Sequence, residues 1–212
     1  MSFFGSLLRS QLRLLVFAPI PALIFRFFPI IKLTGRSMQV SLGYSHSTST
    51  NLRFQPTINP DENQLWHDFA LFDRLSVQAA AKFKRGDIVT LLSPIDPKRV
   101  LIKRVVAKEG DIVKTLPPYP LPEVRIPEGH VWVEGDDPYH SDDSNTLGPI
   151  PAALIEAKLL FVVWPLSRFG SLRTPSARYL SRLTRDSPEY RAAVAAVDRE
   201  KWRESRVIPA RW

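Results

Sequence analysis

The chain has 212 residues, 29 Lys and Arg against 21 Asp and Glu for a net charge of +8, and no cysteine. Disulfides, thiolate metal sites and cysteine nucleophiles are thereby excluded. The four histidines, His46, His67, His130 and His140, lack metal-ligand spacing, so no metal or cofactor is implied and the chemistry must come from hydroxyls, amines or carboxylates. The length allows one core plus appendages. The charge collects at the two ends, without a basic aromatic face or a helix-turn-helix pattern, which argues against nucleic acid as a partner.

Residues 1–13 are acid-free with serine and spaced arginine, the composition of an organellar targeting segment and equally of a disordered tail. Residues 14–31 are apolar or proline except for Arg26. As a helix they would rise about 27 Å, close to the hydrocarbon thickness of a bilayer, so one membrane anchor is predicted within a segment 1–32. Arg26 lies near the end of that stretch, where its side chain can reach the headgroups. Gly35-Arg36-Ser37-Met38 follows. A serine hydroxyl is a poor nucleophile without an adjacent base, so Ser37 is a candidate only if such a base is present; most serines in this setting are ordinary loop residues.

Residues 40–68 read as loop, rich in Ser, Thr, Asn, Gly and Pro. Residues 69–77, 87–92, 100–107, 111–115, 130–134 and 159–164 are short runs of β-branched and aromatic residues between turn formers, and they predict an antiparallel β domain. The proline-rich stretch 116–127 belongs on a sheet edge or in a connection. Residues 171–212 carry ten Arg and Lys against five Asp and Glu. Ser187-Pro188-Glu189 opens a helix there, charged round most of its circumference, which is read as a solvated helix or as one lying on lipid or a partner.

Two further clusters carry chemistry. Leu101-Ile102-Lys103-Arg104-Val105-Val106 is an apolar strand pattern with two cations. A lysine on the buried face of such a strand loses solvation of its charged form and can act as a base, whereas a solvated strand lysine cannot; the pattern alone admits both. Residues 129–148, GHVWVEGDDPYHSDDSNTLG, are a strand followed by an acidic loop whose carboxylate spacing does not fit an EF-hand.

Taken together, GxSM, GDIV with IKRV, and EGD with SxDS and GP resemble the type I signal peptidase family, over about residues 14–170. The runs Lys103 to Asp111, Thr115 to Pro120 and Gly129 to Asp136 are most similar to its small mitochondrial branch. The resemblance implies a mostly β protein. Its parts would be an N-terminal transmembrane helix, an antiparallel signal-peptidase-like catalytic domain over 33–170, and a C-terminal helical tail over 171–212. It implies a serine endopeptidase of the inner mitochondrial membrane, single-pass and facing the intermembrane space. Its substrates would be precursor proteins bearing hydrophobic sorting signals, and its partners membrane lipid and a homologous protease subunit in a heterodimer. The rival expectation is a non-catalytic membrane-bound subunit supporting a sister protease. A self-cleaving repressor-like protein would need a DNA-binding domain and an upstream Ala-Gly, and the sequence has neither.

Carried over by position, the resemblance makes Ser37 the nucleophile, Lys103 the general base and Ser141 a serine that orients the lysine amine. Asp143 becomes part of the supporting acidic loop, and Arg104 and Asp136 an ion pair holding two strands in register. Met38, Ile58 and Leu101 would line the pocket for a small residue before the cleaved bond, and the substrate would add as a strand beside Ile102. Each of these apolar residues also fits ordinary core packing. Two positions depart from the family pattern. Asn145 stands where some relatives carry an arginine, so Asp143 is expected to be held by hydrogen bonds instead. Gly35 replaces a serine oxyanion donor, leaving the backbone N–H of Ser37 and other donors to form the hole.

Relatives continue from the serine through Met and one residue into Pro-Thr-Leu-Asn-Pro. Here Pro56-Thr57-Ile58-Asn59-Pro60 comes only after residues 40–55, sixteen residues whose deletion restores GRSMQ-PTINPDEN. Gln39-Val40-Ser41 can be encoded by a splice-donor sequence and Phe54-Gln55 by an acceptor. Residues 40–55 are therefore expected to be a translated intron or, failing that, a surface insertion, which chain entropy tolerates.

Overall fold

In the computed structural model of the chain, the described residues are 19–34, 38, 67–137, 142–166, 169–172, 175–185 and 187–210. Ser37, Ser141, Ile58 and the stretch 40–55 lie outside them.

Helix α1 (Pro19–Phe27) ends because Phe28 precedes a proline, a position that disfavours helical backbone, and Pro29 has no N–H to continue the ladder. The chain passes directly into β1 (Ile30–Lys32), where Ile30 pairs with Leu71 and Ile31 with Ala70. The anchor predicted over 14–31 is corrected at this end, since its last residues belong to a sheet. Its beginning lies outside the described residues, and among the described residues no helix is long and apolar enough to cross a membrane. Leu23, Ile24 and Phe25 of α1 are exposed.

The antiparallel β architecture expected from the short apolar runs is present. Seven strands form one sheet in the order β1-β2-β9-β3-β4-β7-β8: β2 is Phe69–Asp73, β3 Ile88–Leu92, β4 Val100–Lys108, β7 His130–Glu134, β8 Ile150–Pro151 and β9 Ile155–Trp164. A second sheet has the order β10-β5-β6, with β5 at Ile112–Lys114, β6 at Glu123–Arg125 and β10 at Val207–Ile208. The proline-rich stretch accordingly supplies an edge strand, β6, where a missing donor does no harm.

The run expected as a strand over 69–77 breaks after Asp73. The Asp73 carboxylate accepts the Ser76 N–H at 2.9 Å, meeting one of the donors that a helix start leaves open, and α2 (Leu75–Ala80) begins there. Strand β9 starts four residues earlier than the apolar run at 159, because its polar members are met on the sheet: Lys158 Nζ donates to the Lys82 carbonyl at 2.9 Å, and Glu156 faces Arg74 at 3.9 Å.

Among the described residues three apolar clusters result. The first gathers Val89, Leu91, Leu101, Val105, Val131 and Val133 with neighbours. The second gathers Leu33, Met38, Ala70, Phe72, Ala157 and Val162. The third fixes the small sheet to the large one, with fully buried Trp132 at its centre, meeting Tyr119 edge-on at 5.2 Å, and Val207 of the C-terminal segment packed against it.

The remaining α-helices among the described residues are α3 (Ser144–Leu147), α4 (Ala177–Leu180) and α5 (Pro188–Ser205). Ser187 Oγ accepts the Tyr190 N–H at 3.0 Å, giving α5 the cap expected from its sequence. The helix is not solvated all round: Ala192, Ala193 and Ala196 are buried, and β10, which follows it, pairs with β5. The approach is close at Gly86, whose φ of +86° suits glycine and where an added Cβ would stand 3.2 Å from Glu200 Oε1 of α5.

Candidate active site

Lys103 lies on β4 opposite Val89 of β3, between Leu101 and Val105, both members of the first apolar cluster. Only 1% of its surface is exposed. Burial pulls its amine down from 10.5 to about 8. The nearby charges of Asp143 and Asp142 oppose that fall, and Arg99 adds to it. About a tenth of the amine would be neutral at pH 7, against roughly three parts in ten thousand for a solvated lysine. Such an amine can accept a proton from a hydroxyl.

Asp143 caps α3 and is fixed from several sides. Its Oδ1 accepts the Asn145 N–H at 2.9 Å and its Oδ2 the Gly135 N–H at 3.0 Å. The Asn145 amide Nδ2 also donates to Asp143 Oδ1, at 3.3 Å. Hydrogen bonds thus hold Asp143, as expected from Asn145. Asn145 is itself held, its Oδ1 accepting the Leu116 N–H at 2.9 Å. Ser144 Oγ accepts the Val133 N–H at 2.9 Å and ties the loop to β7.

The strand register beneath the loop is held by buried ions. Arg104 pairs with Glu134 in the ladder and grips Asp136 with two bonds, Nε to Oδ1 at 3.0 Å and Nη2 to Oδ2 at 2.8 Å, while its Nη1 donates to the Gly86 carbonyl at 2.9 Å. Burial alone would raise the Asp136 pKa; Arg104, Arg203 and Arg199 outweigh it and hold the carboxyl below the usual carboxylate range. Arg203 of α5 reaches Asp136 Oδ1 at 2.5 Å. Arg206, just beyond α5, pairs with buried Glu134, which also accepts the Trp132 indole N–H at 3.0 Å. The sequence reading did not single out Arg203, Arg206 or Glu134. A signal was present in Ala192, Ala196, Arg199 and Arg203, which recur at the spacing of one helix face.

Of the residues expected at the site, the structure gathers Lys103, Arg104, Asp136 and Asp143 around β4, β7 and the loop after β7. Ser37, Ser141 and Ile58 lie outside the described residues. Met38 is buried in the second apolar cluster with Ile102 packed against it, whereas Leu101 falls in the first. Strand alternation separates the two neighbours, so Leu101 does not join Met38 and Ile102. Strand β4 pairs with β3 over Val100 to Arg104 but with β7 only from Arg104 onward. Among the described residues its Val100–Ile102 length therefore has a ladder on one side. A cavity of about 180 Å³ lies between α5 and the acidic loop, lined in part by Asp143, Asn145, Pro118, Arg199 and Trp202.

Comparison with known proteins bears on this arrangement. The family described as "Signal peptidase, peptidase S26" matches residues 8–116 and 114–164. The chain is 46% identical over 118 residues to mitochondrial inner membrane protease subunit 2 of Schizosaccharomyces pombe, covering 56% of this chain and 63% of that protein. It is 43% identical over 117 residues to the protein of the same name from Saccharomyces cerevisiae, covering 55% and 66%. With mitochondrial ATP-independent inner membrane protease subunit 1a of Arabidopsis thaliana it shares 38% identity over 157 residues, 72% of this chain and 86% of that one. The matches to the two yeast proteins span just under two thirds of their length.

Proposed function

This chain belongs to the signal peptidase family, peptidase S26, and from that premise we propose that it is a membrane-bound serine endopeptidase with Ser37 as nucleophile and Lys103 as general base. The observation that carries the reading is Lys103, an amine 1% exposed on β4 whose pKa is lowered to about 8. Neutral Lys103 takes the hydroxyl proton as Ser37 Oγ bonds to the scissile carbonyl carbon. The resulting ammonium returns that proton to the departing amine as the C–N bond breaks. Water, deprotonated by the same amine, then attacks the ester and releases Ser37. Asp143 and the Arg104–Asp136 pair keep β4 and the acidic loop in place, and Ser141 orients the amine.

The substrates are the hydrophobic sorting signals of proteins delivered to the mitochondrial intermembrane space. An extended segment adds along the Val100–Ile102 length of β4, which has no second ladder among the described residues. Met38 and Ile102, with Ile58, select a small residue before the cleaved bond. The chain sits in the inner membrane by one N-terminal span with its catalytic domain in the intermembrane space, paired with a homologous subunit. Support for the inner membrane and for a paired subunit comes from the names of its relatives. Residues 40–55 are a translated intron, and the activity is assigned to the chain without them.

A base must be neutral to act, so the rate should climb as pH rises through the Lys103 pKa. Turnover of a synthetic sorting-signal peptide between pH 6 and 10 is expected to rise with a midpoint near 8, the value to which Lys103 is shifted, and then level off. A rate flat across that range would remove Lys103 from the role.

A further inference from the structure

We propose that Arg206 is a positioning residue for the reaction, setting the place of Asp143 beside Lys103 through Glu134 and Asn145, so that the C-terminal segment belongs to the catalytic apparatus. The proposal rests on the reading of Lys103 as the base. The family match ends at residue 164, and nothing in that match requires residues 187–210. The structure nonetheless joins them to the acidic loop by an unbroken series of hydrogen bonds.

The series begins at the Arg206 guanidinium. Its Nη2 donates to Glu134 Oε2 and its Nη1 to Glu134 Oε1 at 3.0 Å. The same Oε1 accepts the Asn145 amide at 3.2 Å, and that amide is shared with Asp143 Oδ1 at 3.3 Å. Asp143 is the first of the charges that act on Lys103, followed by Asp142 and Arg99. Arg206, Glu134, Asn145 and Asp143 are each less than a tenth exposed, so water cannot readily replace a missing link.

Arg206 is held as a fixed point would need to be. Its backbone carbonyl accepts the Lys114 N–H at 2.8 Å and its Nη1 donates to the Lys114 carbonyl at 3.1 Å, pinning it to β5. The Trp202 ring lies 4.3 Å from the guanidinium carbon, and the Ala210 N–H donates to Asp111 Oδ1 at 3.0 Å just beyond β10. As a device for stability alone the arrangement is poor. Buried ion pairs are often no better than apolar packing, and the Arg206 Nε is buried with no hydrogen-bond partner among the described residues. What the pair does supply is a fixed location for Glu134 Oε1.

Without the guanidinium, the Glu134 side chain loses its fixed place: a free carboxylate draws the Asn145 amide toward itself, and a neutral side chain leaves that amide unanchored. In each case the bond from Asn145 to Asp143 is disturbed and Asp143 shifts relative to Lys103. The Lys103 amine would then feel less of the negative charge that raises its pKa and would be less well oriented, while the substrate-binding edge of β4 stays as it was.

The test uses two variants of the chain without residues 40–55, Arg206→Lys, which keeps a cation on Glu134, and Glu134→Gln with Arg206→Met, which leaves no unpaired buried charge. Lys103 is titrated by NMR of 13Cε-labelled lysine, assigned by its absence in Lys103→Met, and peptide cleavage is followed in parallel. The expected result is a lower titration midpoint in both variants and, on the pH plateau where Lys103 is neutral in every form, a fall in kcat of roughly ten- to a hundredfold with KM unchanged. Folded variants with the wild-type midpoint and kcat would overturn the proposal, as would an effect on KM alone. If Lys103→Met itself still cleaves, it is the assignment of the base that fails.

Discussion

Lys103→Met is expected to abolish cleavage and at the same time make the protein more stable at neutral pH. Removing a general base that also serves as proton donor lowers turnover by roughly a thousandfold or more. The stability change has the opposite sign from that of most core substitutions. The folded-state pKa of Lys103, about 8, lies below its ordinary value of 10.5. Between those values the unfolded chain holds the proton and the folded chain does not, so stability rises with pH across that window. Below pH 8 the folded state carries the whole penalty of a charged, buried amine, on the order of 3 kcal/mol. Methionine has a similar shape and no charge, so the variant should gain up to that amount at pH 7 and lose the advantage above about pH 10.5. Denaturant titration at the two pH values, beside single-turnover cleavage, checks both halves. An active variant, or one less stable than wild type at pH 7, would contradict the reading of a strained catalytic lysine.

The second large effect concerns structure. Asp136→Ala removes the carboxylate shared by Arg104 and Arg203, at 2.8 and 2.5 Å, and leaves two buried guanidinium groups facing each other with Arg199 near by. An uncompensated buried charge costs about 3–5 kcal/mol. Urea unfolding should show a loss of that size, with β4, β7 and α5 loosened together. The carboxyl pKa is held below its usual value of 3.8, so the stabilising contribution of Asp136 is complete above that value and fades as pH falls through the lower, folded value. A loss under about 1 kcal/mol would show that the pair is solvated in solution.

Much of the β domain could be read from local pattern because its strands pack in the usual way. The run 130–134 is observed as β7 within the same bounds, and β4 differs from its expected run by one residue. Local pattern failed where a single side chain redirects the backbone. Asp73 accepts the Ser76 N–H and turns the chain into a helix inside a run read as extended, and Pro29 stops a helix whose apolar sequence continues through Ile31. The burial of Lys103 was open for a related reason. Leu101 to Val106 carries two adjacent cations, and alternation sends them to opposite faces, so no rule of composition says that both are buried. Arg104 tolerates burial because Asp136, far along the chain, meets it. The role of the tail was the least legible, since Arg203 and Arg206 find partners 67 and 72 residues away, on a strand end that their own helix pattern does not mention. Asn145 is the converse case: its departure from the family pattern pointed to hydrogen bonding as the means of holding Asp143, and the amide and backbone N–H of Asn145 are in fact its donors.

The central claim is a covalent step at Ser37 driven by Lys103, and it is tested most directly by trapping the intermediate. The chain without residues 40–55 is mixed with an activated ester of a sorting-signal peptide, quenched in acid within milliseconds, digested and mapped by mass spectrometry. The expected result is one acyl group, carried on the peptide containing Ser37 and absent from Ser37→Ala and Lys103→Met. Turnover without an adduct at Ser37, or an adduct that persists when Lys103 is replaced, would contradict it.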